Sequence, residues 1–134
     1  MRMTDKKARK ILDYLTKRMG FSNWELKKNG NFNFDDLQYL EFLDSDGEWE
    51  SDLLLEKDGQ LMTWGFYDDM SLTTIVKSMI KNADRAYCSR KYNRNLPCLE
   101  LATSCFPWIY VFKKNETLEK LLIEMDLNGQ QGIL

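Results

Sequence analysis

Residues 47–67 read GEWESDLLLEKDGQLMTWGFY, and the fold turns on how this stretch is read. Asp58-Gly59 divides it into two apolar runs, Trp49–Glu56 and Leu61–Phe66. An Asp-Gly pair accepts the positive φ angles of a tight hairpin turn, so the two runs are expected to pair antiparallel. Within the first run, Leu53-Leu54-Leu55 breaks the alternation of a half-buried strand. That pattern predicts a strand covered on both faces or carrying a bulge. Working backwards, Asp46-Gly47 precedes the stretch and follows another apolar run, Leu37–Leu43. Further back, Asn29-Gly30 separates Trp24 and Leu26 from Phe32 and Phe34, each alternating with polar residues. The expectation is an antiparallel meander of four to five strands from about residue 22 to 67.

Helical periodicity flanks the meander on both sides. Ala8, Ile11, Leu12, Leu15 and Met19 recur at three- and four-residue steps, with Thr4 and Asp5 placed to cap the start. Gly20 is placed for a left-handed stop, with Phe21 folding back behind it. After the meander, Ser71 or Asp69 is expected to cap a long central helix whose apolar stripe runs from Leu72 through Ile75, Val76, Met79, Ile80 and Ala83 to Tyr87. Cys88 to Pro97 reads as a basic, Asn-rich loop, and Phe106–Phe112 as a strand with Pro107 near its start. Asn115 is expected to cap a last helix carrying Leu118, Leu121, Leu122 and Met125, ending at Asn128-Gly129 before a loose tail, Gln130–Leu134. The fold class is therefore α+β, a meander with an N-terminal helix, a long central helix and a C-terminal strand–helix unit. All of residues 1–134 are expected to form one domain.

Composition narrows the functional classes. The 134 residues are 43% apolar and 30% charged, which describes a chain with a core. The charged start lacks an apolar segment of signal-peptide type, and no run reaches membrane-spanning length. Three cysteines, Cys88, Cys98 and Cys105, show no CxxC spacing and suit free thiols in a reducing compartment, so the expected location is the cytoplasm, with no membrane partner.

The chain contains no histidine, which removes Ser-His-Asp and Cys-His catalysis and histidine-ligated metal sites. No phosphate-cradling glycine motif occurs. Asp44-Ser45-Asp46-Gly47 resembles the start of a calcium loop but lacks its third acidic ligand, and a polar hairpin turn accounts for it. Asp35-Asp36 and Asp68-Asp69 fall at element junctions, where aspartate caps helices and closes turns. No catalytic residue, metal ligand or cofactor is assigned.

Charge is sorted into blocks. From Asp35 to Asp58 ten acidic residues face one lysine, whereas Lys77–Arg94 holds six basic residues against Asp84. Asp44, Asp46, Glu48, Glu50 and Asp52 occupy alternate positions and would project from one face of a regular strand. Carboxylates so spaced approximate a row of phosphates and suit the basic groove of a nuclease or other nucleic-acid-binding protein. The competing account is an edge strand kept unpaired by charge. Lys77, Lys81, Arg85, Arg90, Lys91 and Arg94, interleaved with Tyr87 and Tyr92, form the alternative, a nucleic-acid contact. The expected function is a non-enzymatic inhibitor or adaptor engaging a basic protein partner through an acidic sheet. In size, charge sorting and lack of catalytic signature the chain is similar to the small proteins that bacteriophages and mobile elements carry to block host defences. A carboxylate- or cysteine-dependent enzyme ranks third.

Overall fold

The computed structural model describes residues 2–28, 36–45, 49–92 and 108–127, and for residues 49, 50 and 90–92 it describes the backbone. Its elements are α1 (Asp5–Arg18), β1 (Asn23–Lys28), β2 (Leu37–Leu43), β3 (Trp49–Lys57), β4 (Gln60–Thr63), β5 (Gly65–Tyr67), α2 (Leu72–Lys81), β6 (Ala86–Tyr92), β7 (Trp108–Tyr110) and α3 (Leu118–Leu127). A 3₁₀ turn, Ala83–Arg85, joins α2 to β6. No helix among the described residues is long and apolar enough to cross a membrane.

The α+β architecture is as expected. The strands form one antiparallel sheet with the order β1-β2-β3-β6-β7. The run Leu61–Phe66 is divided. β4 pairs with the far half of β3, then Trp64 donates its backbone N–H to Leu53 O at 3.0 Å and the chain crosses to pair β5 with the near half of β2. Together β4 and β5 fill the wedge where β2 and β3 splay apart. Asp58 and Gly59 both take positive φ, 52° and 79°, as the Asp-Gly signal requires. The hairpin expected around Asn29-Gly30, with Phe32 and Phe34, lies outside the described residues, as do Asp46-Gly47, Asn128-Gly129 and the tail.

One face of the sheet carries the core. Leu40, Phe42, Leu53, Phe66, Ala86 and Cys88 pack there with Ile11, Leu12 and Leu15 of α1, Ile75, Val76 and Met79 of α2, and Leu121 and Met125 of α3. Thr4 Oγ1 accepts from Lys7 N at 3.1 Å to start α1. At its end Gly20, with φ of 89°, donates to Lys17 O and Phe21 donates to Thr16 O, which closes the helix on a left-handed glycine. The opposite face is also buried at its centre, where Tyr39, Glu41, Asp52, Leu54 and Ser89 are each under 9% exposed. Residues 51–54 of β3 are therefore buried on both faces, the condition that three consecutive leucines anticipate.

Three local expectations are corrected. The central helix is short: it ends at Lys81, where Asn82 caps it and donates from its side chain to Ser78 O at 2.8 Å. Tyr87 lies on β6, because pairing with β3 captures residues that continue the helical stripe in sequence. Arg90 and Lys91 accordingly sit on a strand and not in a loop. Thr117, not Asn115, caps α3, its hydroxyl accepting from Lys120 N at 3.2 Å. Asn115 instead takes φ of 60°, which Asn tolerates, in the turn before the helix.

The first helix meets residues 111–124 at Arg18. Its guanidinium donates to both carboxylate oxygens of Glu116 at 2.7 and 3.0 Å, to Glu124 at 2.8 Å and to Val111 O at 2.8 Å. Tyr14 donates to the same Glu124 at 2.7 Å, and Lys113 pairs with its other oxygen. Burial opposes ionisation of Glu124, but hydrogen bonds from Lys113, Tyr14 and Arg18 outweigh it and hold the carboxyl at about 2. Arg18→Met leaves Glu116, 5% exposed, with an uncompensated charge and is expected to destabilise by about 3–5 kcal/mol in denaturant unfolding. Because the Glu124 pKa is depressed, its contribution is present above its ordinary value of 4.5 and disappears as pH falls toward 2. Glu124→Gln is therefore expected to flatten the acid limb of the stability curve across that window, and an unchanged limb would count against this network.

Gly65 sits under the ring of Tyr39, its register partner, where an added Cβ would stand 2.9 Å from Tyr39 Cε1. Tyr39 is 5% exposed, so its ring has little room to retreat. Gly65→Ala is expected to cost about 1–3 kcal/mol by overpacking, read as a drop in Tm.

Candidate interaction surface

The acidic positions do not form one exposed row. Asp44 follows β2 and is half-buried, Glu50 and Asp52 lie on β3, and Asp46 and Glu48 lie outside the described residues. Asp52 is only 4% exposed. The edge-strand account fails as well, because β3 has neighbours on both sides, and among the described residues the outer strands are β1 and β7. The register explains both corrections. Asp52 stands between Glu41 of β2 and Ser89 of β6, at the middle of the sheet.

The same register joins the two charge blocks that the sequence presents as rivals. Glu50 pairs with Lys91 and Ser51 with Arg90 along the β3–β6 ladder. Backbone positions of the two blocks therefore lie side by side on adjacent strands. Lys77, Lys81 and Arg85 remain exposed along α2 and the turn after it. Arg94 lies outside the described residues.

The sheet face turned from the core cluster carries a group of residues that sequence reasoning missed. Glu25, Glu41, Asp52, Ser89 and Trp108 form one row across five strands. Glu41, only 4% exposed, meets Lys27 Nζ at 2.8 Å, which compensates a carboxylate that would be costly to bury alone. In the next row Tyr87 OH donates to Glu56 Oε2 at 2.8 Å and lies 2.5 Å from Tyr110 OH, the two rings 4.3 Å apart. The Tyr110 hydroxyl, then Glu56 and burial, push the Tyr87 phenol above its ordinary value, so it stays protonated. Trp108 and Tyr110, neighbours on this face, are 51% and 53% exposed. The alternation of Tyr87 with Ser89 and of Trp108 with Tyr110 is visible in sequence. It is hidden while 88–97 is read as a loop.

Exposed aromatics near a carboxylate can hold a cationic side chain, by cation–π contact and by charge. Trp64, by contrast, packs on the core against Phe66 at 5.1 Å, and the Trp49 side chain lies outside the described ones. A separate cleft of about 930 Å³ opens between the 3₁₀ turn and residues 109–115. Arg18 and Lys113 on its wall are both engaged by glutamates. No group of three or more cysteine and carboxylate side chains among the described residues could hold a metal ion. Cys98 and Cys105 lie outside those residues, whereas Cys88 is wholly buried in β6 with its thiol 3.8 Å from Met19 Sδ.

No family model matches the chain, and neither a curated protein nor a solved structure matches it.

Burial pushes the Cys88 thiol up, opposed by the Ser51 hydroxyl and reinforced by Asp52. In a Cys98→Ser/Cys105→Ser background, Cys88 is expected to react with a disulfide reagent at least about a hundredfold more slowly in the folded protein than after unfolding. Rapid labelling of the folded protein would place the thiol in an accessible, reactive setting.

Proposed function

We propose that the protein is a non-enzymatic interaction module, an inhibitor or adaptor, that captures a basic segment of a protein partner. The capture surface is the sheet face turned from the helical core, where β6 meets β7. One observation carries the reading: Trp108 and Tyr110 are more than half exposed beside the Tyr87–Glu56 pair. Tryptophan and tyrosine dominate the energetic centres of protein interfaces, and a carboxylate beside them selects a cation. The acidic excess over residues 35–58 supports the same preference, since it favours approach of a basic partner. A phage or mobile-element protein that occupies a basic nucleic-acid-binding surface is one form this activity takes.

The alternative, nucleic acid bound along residues 77–94, keeps thinner support. Lys77, Lys81 and Arg85 are exposed, but Arg90 and Lys91 are register partners of β3. A photo-crosslinking residue installed at position 110 or at position 77 in the native host separates the two. The expected adduct forms at position 110, is destroyed by protease and survives nuclease. Trp108→Ala is expected to weaken that capture by roughly thirtyfold, about 2 kcal/mol. Glu56→Gln, which removes one half-buried charge, is expected to weaken it by a few-fold and to reduce its salt dependence. A nuclease-sensitive adduct at position 77, with none at 110, would overturn the proposal.

A further inference from the structure

We propose that β7 is an assembly edge, on which a second copy of this chain adds its own β7 to form a two-fold antiparallel dimer. Among the described residues, the two outer strands of the sheet differ in kind. β1 carries Glu25, Lys27 and Lys28, the charges that protect a sheet edge from further pairing. β7 is Trp108-Ile109-Tyr110, with no charge at all.

Its hydrogen-bonding phase is fixed by one contact. Val111 N donates to Ala86 O at 3.3 Å, which makes 86 and 111 a hydrogen-bonded pair of the β6–β7 ladder. Antiparallel pairs alternate, so Ile109 directs its N–H and C=O inward to Cys88. Trp108 and Tyr110 direct theirs outward, and no described residue pairs with them there.

Those outward groups are self-complementary. With Ile109 on a two-fold axis, Trp108 of one copy faces Tyr110 of the other and the two exchange both backbone hydrogen bonds. The same exchange occurs on the other side of the axis. Their side chains, half-exposed in the single chain, then form cross-strand Trp–Tyr pairs, which are among the favourable pairs of a sheet. No like charges meet within the paired residues. The dimer would also place two Glu56–Tyr87 pairs on one continuous face, doubling the proposed capture surface.

The contact is small. Two half-exposed aromatics per copy supply well under the roughly 1,200 Å² of a standard interface, so the dissociation constant is expected on the order of 100 µM. Sedimentation velocity on the unmodified chain between about 10 µM and 1 mM should show a monomer passing to a dimer. Over that range hydrogen exchange at the Trp108 and Tyr110 amides should slow by about fourfold, as the dimer population rises. Trp108→Lys/Tyr110→Lys, with folding checked by circular dichroism, should stay monomeric, whereas Glu56→Gln should dimerise as before while capturing the partner a few-fold more weakly. A chain monomeric at 1 mM, or a dimer whose Trp108 and Tyr110 amides exchange at an unchanged rate, would overturn the proposal. The exchange measurement decides the matter even if the double variant fails to fold.

Discussion

The ladder between β3 and β6 is the constraint on which the other features depend. Seven register pairs, from Trp49↔Tyr92 to Leu55↔Ala86, tie a strand of the meander to the segment that follows the second helix. That pairing stops α2 at Lys81, although the apolar stripe continues to Ala83 and Tyr87 in sequence. It makes β3 an interior strand, so Ser51, Asp52, Leu53 and Leu54 are all buried. It also sets Glu50 against Lys91, turning separate charge blocks into neighbours. A non-local ladder satisfies many backbone groups at once, and its gain exceeds the preference of a few residues for helix.

Closure of the fold depends on a second long-range contact of different chemistry. Arg18 ends the first helix, and Glu116 and Glu124 belong to the last segment. A guanidinium offers five donors in a rigid fork, so one side chain can satisfy two carboxylates and the Val111 carbonyl together. Glu116 is nearly buried, and its charge is tolerable there because the fork reaches it twice. The core beneath is conventional, with Ile11, Leu12 and Leu15 meeting Ile75 and Met79 beside Leu121 and Met125. Burial supplies most of the stabilisation, while the charged contact selects which segments come together.

The proposed function follows from what this arrangement leaves outside. Part of the acidic block is drawn into the sheet, through burial of Glu41 and Asp52. Trp108, Tyr110 and the Tyr87–Glu56 pair stay at the border with solvent. Residues that stabilise the sheet and residues offered to a partner are thus separated by strand position, since interior strands bury both faces and the last strand buries neither fully.

The sequence by itself determined the elements whose causes are local. Period-two and period-3.6 patterns, Thr4, Gly20, Ser71 and the Asp58-Gly59 turn set most strands and helices, and Leu53-Leu54-Leu55 announced a strand buried on both sides. These signals are legible because each arises within a few residues of chain. Tertiary structure decided everything that required distant segments to meet. The neighbours of β3, the end of α2, the crossing at Trp64 and the Arg18 contacts all join residues far apart in sequence. The candidate surface belongs to this second group. Asp52 became interior and Trp108 remained exposed because of strand order, a property that no run of ten residues contains.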